Sequence, residues 1–182
     1  MRLEEAVRIV SEKIDKLLEG KDTVIIAIDG NTASGKSTLA HVLQRIYIPG
    51  TNIFHTDYFN KDQIRGNFDS SRFEEEVLRP LSENREISYR RYNPSMNELE
   101  EAVIMQVGKV NIIEGLFALE APLCKYYDLK VLACIKEKLQ AERINSRNPD
   151  IKESFFTKWL PAEKEYLSAD VAQRADLVLD LE

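Results

Sequence analysis

The stretch Asp29-Gly30-Asn31-Thr32-Ala33-Ser34-Gly35-Lys36-Ser37-Thr38 decides how the chain is read. From Gly30 to Ser37 it fits G-x-x-x-x-G-K-[ST], the phosphate-binding loop. An apolar run, Val24-Ile25-Ile26-Ala27-Ile28, precedes it, and Leu39, Val42, Leu43 and Ile46 follow at helical spacing. That is the strand–loop–helix setting the motif requires. The two glycines let the backbone wrap tightly, so that successive N–H groups point inward at phosphate oxygens. The helix that follows adds the positive end of its dipole. Gly30, Asn31, Thr32, Ala33, Ser34, Gly35, Lys36, Ser37 and Thr38 are therefore the candidate nucleotide-binding residues. Lys36 is placed to reach the β- and γ-phosphates, and the Ser37 hydroxyl to ligate Mg²⁺. The expected cofactors are ATP and Mg²⁺.

Bulk properties restrict the alternatives. A chain of 182 residues suits one domain with a real core. Its net charge of −6 gives no global attraction to nucleic acid or to an anionic membrane. A polyphosphate must then be held by locally placed basic groups. No apolar run approaches the ~20 residues of a membrane span. Met1-Arg2-Leu3-Glu4-Glu5 carries early acids, unlike a signal peptide. With only Cys124 and Cys134, the expectation is a reduced, cytoplasmic protein without a structural disulfide.

Hydrophobic periodicity predicts an amphipathic helix over Arg2–Glu19, with Leu3, Val7, Val10, Ile14 and Leu17 on one face. It is read as an extra element, within residues 1–20, packed on the sheet; the alternative is a dimer contact, which leaves a homo-oligomer open. Strands are expected at Thr23–Asp29, Asn52–His55, Ala102–Gln106, Val110–Ile113, Asp128–Ile135 and Ala175–Leu181. Helices are expected at Lys36–Tyr47, Arg72–Leu78 (stopped by Pro80), Leu119–Tyr126, Lys136–Arg147 and Asp150–Leu167, with Ala169–Arg174 as a further candidate. Ile87–Met96, rich in Tyr, Arg, Asn and Pro, reads as irregular. Alternation of strands and helices implies an α/β fold: a mostly parallel sheet flanked by helices in three layers, spanning 1–182 as one domain.

In such sheets ligands bind beyond the carboxyl ends of the strands. Asp57 follows the second strand and Glu114 follows Val110-Asn111-Ile112-Ile113. Glu114 is the candidate Mg²⁺ partner of Ser37, directly or through water. Asp57 is the candidate general base, because an alcohol must lose its proton as it attacks; a water-mediated metal contact or a turn cap is the alternative. His55 reads as a strand-end spacer. The helix at Lys136–Arg147 places Arg143 and Arg147 four residues apart on one face. Closing over the phosphates as a lid (about 136–150), they would stabilise transferring charge and exclude water.

Taken together, Gly30–Ser37, Asp57, Ile113-Glu114-Gly115 and the arginine-bearing segment resemble the uridine kinase and phosphoribulokinase family of P-loop kinases. Asn67-Phe68-Asp69 is similar to the family's N-F-D segment, which implies that Asp69 holds the acceptor's ribose hydroxyls. Tyr89-Arg90-Arg91-Tyr92-Asn93 resembles the segment that closes on the nucleobase, making Tyr89 and Tyr92, together with Tyr58, candidate substrate contacts. Trp159-Leu160-Pro161-Ala162-Glu163, Tyr166 and Ala175-Asp176-Leu177-Val178 resemble the end of the kinase domain. The resemblance implies transfer of the ATP γ-phosphate to a hydroxyl of a nucleoside, as in uridine or cytidine kinases. There are departures. Asp57-Tyr58-Phe59-Asn60 stands where the family usually has Asp-Ser-Phe-Tyr, and Tyr92-Asn93-Pro94 lacks its Asp and Phe. The lid has fewer arginines, with Arg143-Ile144 in place of an Arg-Asp pair. Another small alcohol such as nicotinamide riboside, pantothenate or a sugar is thus an alternative acceptor. A regulatory NTP switch is the reading of a different class, but Asn60-Lys61-Asp62-Gln63 comes too early for N-K-x-D and has Gln where Asp is needed.

Overall fold

β1 (Val24–Gly30) is buried at every position. It needs partners on both edges and cover on both faces, and its all-apolar start supplies side chains for each. A computed structural model describes residues 1–61, 67–147, 155–168 and 170–182, and for Arg147 the backbone alone. In it β1 lies at the centre of a five-stranded sheet with β2 (Thr51–His55), β5 (Val110–Glu114), β6 (Leu129–Cys134) and β7 (Leu177–Asp180). The order is β2-β5-β1-β6-β7 and every pairing is parallel.

The pleat sorts the core into two layers. Val24, Ile26 and Ile28 face one side, where α1 (Leu3–Leu18) and α2 (Lys36–Ile46) cover them with Ala6, Val10, Ile14, Leu39 and Leu43. The N-terminal helix thus packs on the sheet. Ile25 and Ala27 face the other side, against Phe54, Phe59, Phe73, Val77, Leu78 and Leu132. Each fully buried isoleucine or leucine contributes roughly 1.5–3 kcal/mol of hydrophobic stabilisation.

That second layer departs most from the sequence expectation. α3 (Ser70–Phe73) runs through a π-helical turn, Glu74–Leu78, into α4 (Arg79–Ser82). Pro80 therefore does not stop the helix. The wide turn has already shifted the hydrogen bonding, with Arg79 N–H donating to Glu74 O, and so absorbs a residue lacking an N–H. Ile87–Asn93 is not irregular but forms β3, paired antiparallel with β4 (Glu98–Met105) in a separate two-stranded sheet. Its period-two burial was masked by polar outward residues: Ile87 and Tyr89 are buried while Ser88 and Arg90 are exposed. A register shift between Arg90 and Tyr92 then returns Tyr92 to the inner side. β4 and β5 follow each other in sequence yet lie in different sheets. Between them Gly108 passes so close to Gly50 O that a Cβ would sit 2.6 Å from it. At Leu119–Tyr126 only Cys124–Tyr126 is helical, as a 3₁₀ turn. After β6 come α5 (Glu137–Arg147), a π-helical turn Phe155–Trp159 leading into α6 (Leu160–Ser168), and α7 (Val171–Arg174). Pro161 follows that π-helical turn, as Pro80 follows Glu74–Leu78, so the wide turn again precedes a residue lacking an N–H. Among the described residues no helix is long and apolar enough to cross a membrane.

Candidate active site at the strand ends

The phosphate loop leaves β1 at Gly30 and enters α2 at Lys36. Gly30 has φ 135°, and a Cβ there would lie 1.9 Å from Ala133 O, so only glycine lets β1 end flush against β6. Gly35 has φ 103° and serves as the N-cap of α2. Lys36 Nζ donates to Asn31 O at 2.8 Å, folding back over the loop. The Ser34 hydroxyl oxygen is buried in the loop with no hydrogen-bond partner. An orphaned polar atom of this kind is rare in a folded protein.

Ser37 follows Lys36 directly. Its Oγ is 3.2 Å from each carboxylate oxygen of Glu114, at the end of β5. The neighbouring His55, at the end of β2, places Nδ1 2.6 Å from Glu114 Oε1. Register explains the meeting, since His55 pairs with Glu114 across the ladder. Burial pushes the Glu114 carboxyl up, but the His55 hydrogen bond, the Lys36 charge and the Ser37 contact together hold it below its ordinary value. It is an anion at neutral pH. Mg²⁺ is typically held by one or two protein oxygens, with phosphate and water completing the shell. Ser37 Oγ and the Glu114 carboxylate are hard oxygen donors in contact, so they fit that ion.

A cavity of about 200 Å³ opens over this pair, lined by Lys36, Ser37, Glu114, Asp57, Phe68 and Phe117 among others. Asp57 belongs to the 3₁₀ turn Thr56–Phe59 that follows β2. The turn is drawn in because Thr56 Oγ1 donates to Leu116 O and Gly115 gives it room. A Cβ on Gly115 (φ 138°) would lie 2.0 Å from Thr56 Oγ1. Lys36, Ser37, Glu114 and Asp57, separated in sequence, are thereby brought to one space.

Other candidates sit elsewhere. Phe68 lines the cavity, but Asp69 turns to α3, where its Oδ1 accepts from Arg72 N–H at 3.2 Å as an N-cap. Tyr89 and Tyr92 are not among the cavity-lining residues. Tyr89 is buried with its ring 5.9 Å from Phe54 and 5.6 Å from Phe59, because β3 turns it into the core beneath the sheet. Tyr92 is buried too, its Oη 2.7 Å from Asn97 Oδ1. Tyr58 meets His55 edge-on at 5.0 Å, and the Arg91 guanidinium lies 4.6 Å over its ring. Arg143, on α5, donates to Ala33 O at 3.0 Å and, with Leu3, Thr38 and Leu181, lines a second hollow of about 260 Å³ on the other flank of the loop. The Arg147 side chain and residues 148–150 of the expected lid lie outside the described residues, as do Asp62 and Gln63.

Several residues that sequence reasoning passed over hold the site together. Asp29 is fully buried. It accepts from Gly30 N–H (2.6 Å), Leu119 N–H (2.8 Å) and Tyr166 Oη (2.6 Å). Burial raises its carboxyl to about 6, against those three hydrogen bonds and the Lys36 charge. Burial and the Asp29 charge push the Tyr166 phenol far up. Glu163, also buried, sits against Asn31 and Thr32. Arg72 ties three segments, donating to Tyr58 O and Arg90 O and lying 4.5 Å over the Phe59 ring. The visible signals were an acid at the end of an apolar strand (Asp29) and the three-residue spacing of Glu163 and Tyr166; nothing in the sequence marked Arg72.

The architecture can be compared with solved structures. A possible uridine kinase from Bacillus stearothermophilus superposes with a TM-score of 0.67 at 20% identity, covering 94% of this chain and 99% of that one. The fold is that of the P-loop kinases. The YGR205w protein gives the same TM-score, 0.67, at 13% identity, covering 98% of this chain and 93% of its own. YFH7 from Saccharomyces cerevisiae, proposed to be a P-loop containing kinase with a circular permutation, gives 0.62 at 12% identity over 100% and 99%. No protein-family model matches the sequence, and no curated protein matches it either. At these identities the likeness establishes the uridine kinase-like fold, and the chemistry must rest on the site itself.

Proposed function

We propose that the protein is an ATP-dependent small-molecule kinase that transfers the γ-phosphate to a hydroxyl of a nucleoside, in the manner of uridine and cytidine kinases. The observation that carries this reading is the single cavity shared by Lys36, the Ser37–Glu114 pair and Asp57. Phosphoryl transfer to an alcohol needs an acceptor for the hydroxyl proton, and the Asp57 carboxylate lines the same space as the phosphate-holding residues.

Phosphate oxygens bind the loop N–H groups and Lys36, with the orphaned Ser34 hydroxyl as a further donor. Mg²⁺, held by Ser37 and Glu114, would neutralise charge on the β- and γ-phosphates. His55 keeps the Glu114 carboxylate turned toward Ser37. Asp57 accepts the proton of the attacking hydroxyl. Arg143, held to Ala33 O on the other flank of the loop, would have to swing over the phosphates to add a cation there, with Arg147 as its proposed companion in the lid. Phe68 and Phe117, whose rings stack at 6.2 Å on the cavity wall, offer an apolar platform to the acceptor. Asp69 is the proposed diol contact through rearrangement of its capping bond, and Tyr58, next to Asp57, is a further proposed acceptor contact.

The test is incubation with Mg-ATP and a panel of nucleosides, nicotinamide riboside, pantothenate and sugars, with detection of phosphorylated product. A pyrimidine or purine ribonucleoside is expected to be phosphorylated. ATP consumption at the same rate with and without every acceptor would sink the reading.

A further inference from the structure

α6 turns two side chains, three residues apart, toward the phosphate loop. Tyr166 grips Asp29 on one side of Gly30, and Glu163 grips Asn31 and Thr32 on the other. The Glu163 carboxylate is 1% exposed. Its Oε2 accepts from Thr32 N–H at 2.8 Å, and its Oε1 accepts from Asn31 Nδ2 at 3.2 Å and Gln140 Nε2 at 2.7 Å. Gln140 also donates to Thr32 O at 3.0 Å, so the contact is braced from α5. The peptide joining Asn31 to Thr32 is thus held at both ends: its C=O by Lys36 Nζ and its N–H by Glu163. Lys36 is the side chain that must reach the terminal phosphates.

A carboxylate on a phosphate-loop N–H is an anion in a place built for anions. It lines the same cavity as Lys36 and Ser37. Two anions cannot share one N–H, and in a site screened from water their repulsion is larger than in solvent. We propose that Glu163 is an internal stand-in for phosphate: it occupies the outer N–H of the loop until the terminal phosphate of the donor displaces it, and its release frees α6. Glu163 then sets the affinity for a triphosphate against a diphosphate and reports donor binding to the helix behind the cavity. The inference rests on the reading that this loop takes a nucleoside triphosphate.

The chain supplies its own probe. Trp159 is its single tryptophan; it immediately precedes α6 and lines the cavity with Glu163. Mg-ATP and Mg-ADP are titrated into wild type, Glu163→Gln and Glu163→Asp, with affinity read by calorimetry and α6 by Trp159 emission. Glu163→Gln keeps the shape and an acceptor oxygen and removes the charge; it should bind Mg-ATP about tenfold tighter and Mg-ADP nearly as before. Glu163→Asp, with a shorter arm, should move the same way. Unchanged or weaker ATP binding by a folded Glu163→Gln would overturn the proposal and leave Glu163 a buttress. Should neither variant fold, wild type decides: Mg-ATP must shift Trp159 emission and Mg-ADP must not, and an equal response overturns the proposal. Wild type that binds neither nucleotide would refute the nucleotide reading itself, which is a different result.

Discussion

On one side of the cavity the phosphate loop, Ser37 and Glu114 hang from β1 and β5, strands buried at every position. On the other, Asp57, Asn60 and Phe68 sit on a turn and a short return segment outside the sheet. The first wall is positioned by backbone ladders and by glycine geometry. The second is positioned by side chains: Thr56 on Leu116, Arg72 on Tyr58 and Arg90, Asp69 on Arg72. A wall fixed by ladders leaves little freedom for its chemistry. A wall fixed by side chains can be re-cut without disturbing the sheet. In the proposed kinase, donor recognition would belong to the first kind and acceptor identity to the second.

The sharpest way to break this division is to compare one substitution in each wall. Lys36→Ala should lower ATP affinity more than tenfold and kcat on the order of 10²–10³-fold, since one preorganised charge on the phosphates is lost. Asp57→Asn should lower kcat on the order of 10²–10⁴-fold while ATP affinity stays nearly constant. Calorimetric titration alongside steady-state kinetics separates them. If Asp57→Asn costs ATP affinity as Lys36→Ala does, the two walls form one nucleotide site.

A smaller effect sharpens the second wall. Asp69 caps α3, and its proposed role is to bind the acceptor. Asp69→Ala should lower stability by about 1 kcal/mol, or roughly 2–4 °C in Tm, and raise the acceptor KM. Asp69→Ser restores the cap but not the carboxylate, so its Tm should recover while KM stays raised. Recovery of both would reduce Asp69 to a helix cap.

The mildest prediction concerns Asp29 behind the first wall. Folding raises its carboxyl from 3.8 to about 6 by burial. The folded state therefore favours the protonated form. Asp29's contribution to stability is present below pH ~4, is lost as pH rises toward about 6, and stays absent above, a change on the order of 3 kcal/mol. Carboxyl NMR titration should show a midpoint near pH 6. Tyr166→Phe, which removes a hydrogen bond favouring the ionised form, should move that midpoint up; a fall would mean that burial is not the governing cause.

The two walls were also unequally legible in the sequence. Gly30–Ser37 is contiguous, and Glu114 follows a largely apolar run, so the phosphate-loop motif and the parallel sheet could be read directly. β3 could not, and β4 only from Ala102 onward, because their outward faces are charged and β4 is mostly exposed, which hides the two-residue period. Tyr89 and Tyr92 looked like ligand contacts because their segment resembles one that closes on a nucleobase, but the pleat and the register shift between Arg90 and Tyr92 turn them inward. His55 looked like a spacer because only the β2–β5 register reveals that it opposes Glu114. Asp29 meets Tyr166, and Thr32 meets Glu163, across more than 130 residues, a proximity that no local pattern encodes.

Gly115 joins the two walls. It follows Glu114 directly, donates its N–H to Ile28 O, and leaves no space between itself and Thr56 for even one carbon. The spacing between Glu114 and the turn that bears Asp57, the proposed metal contact and the proposed base, is therefore gauged by a missing side chain. A methyl group at Gly115 would pry the turn bearing Asp57 away and stretch the route, while every acid, lysine and hydroxyl along it stayed chemically intact.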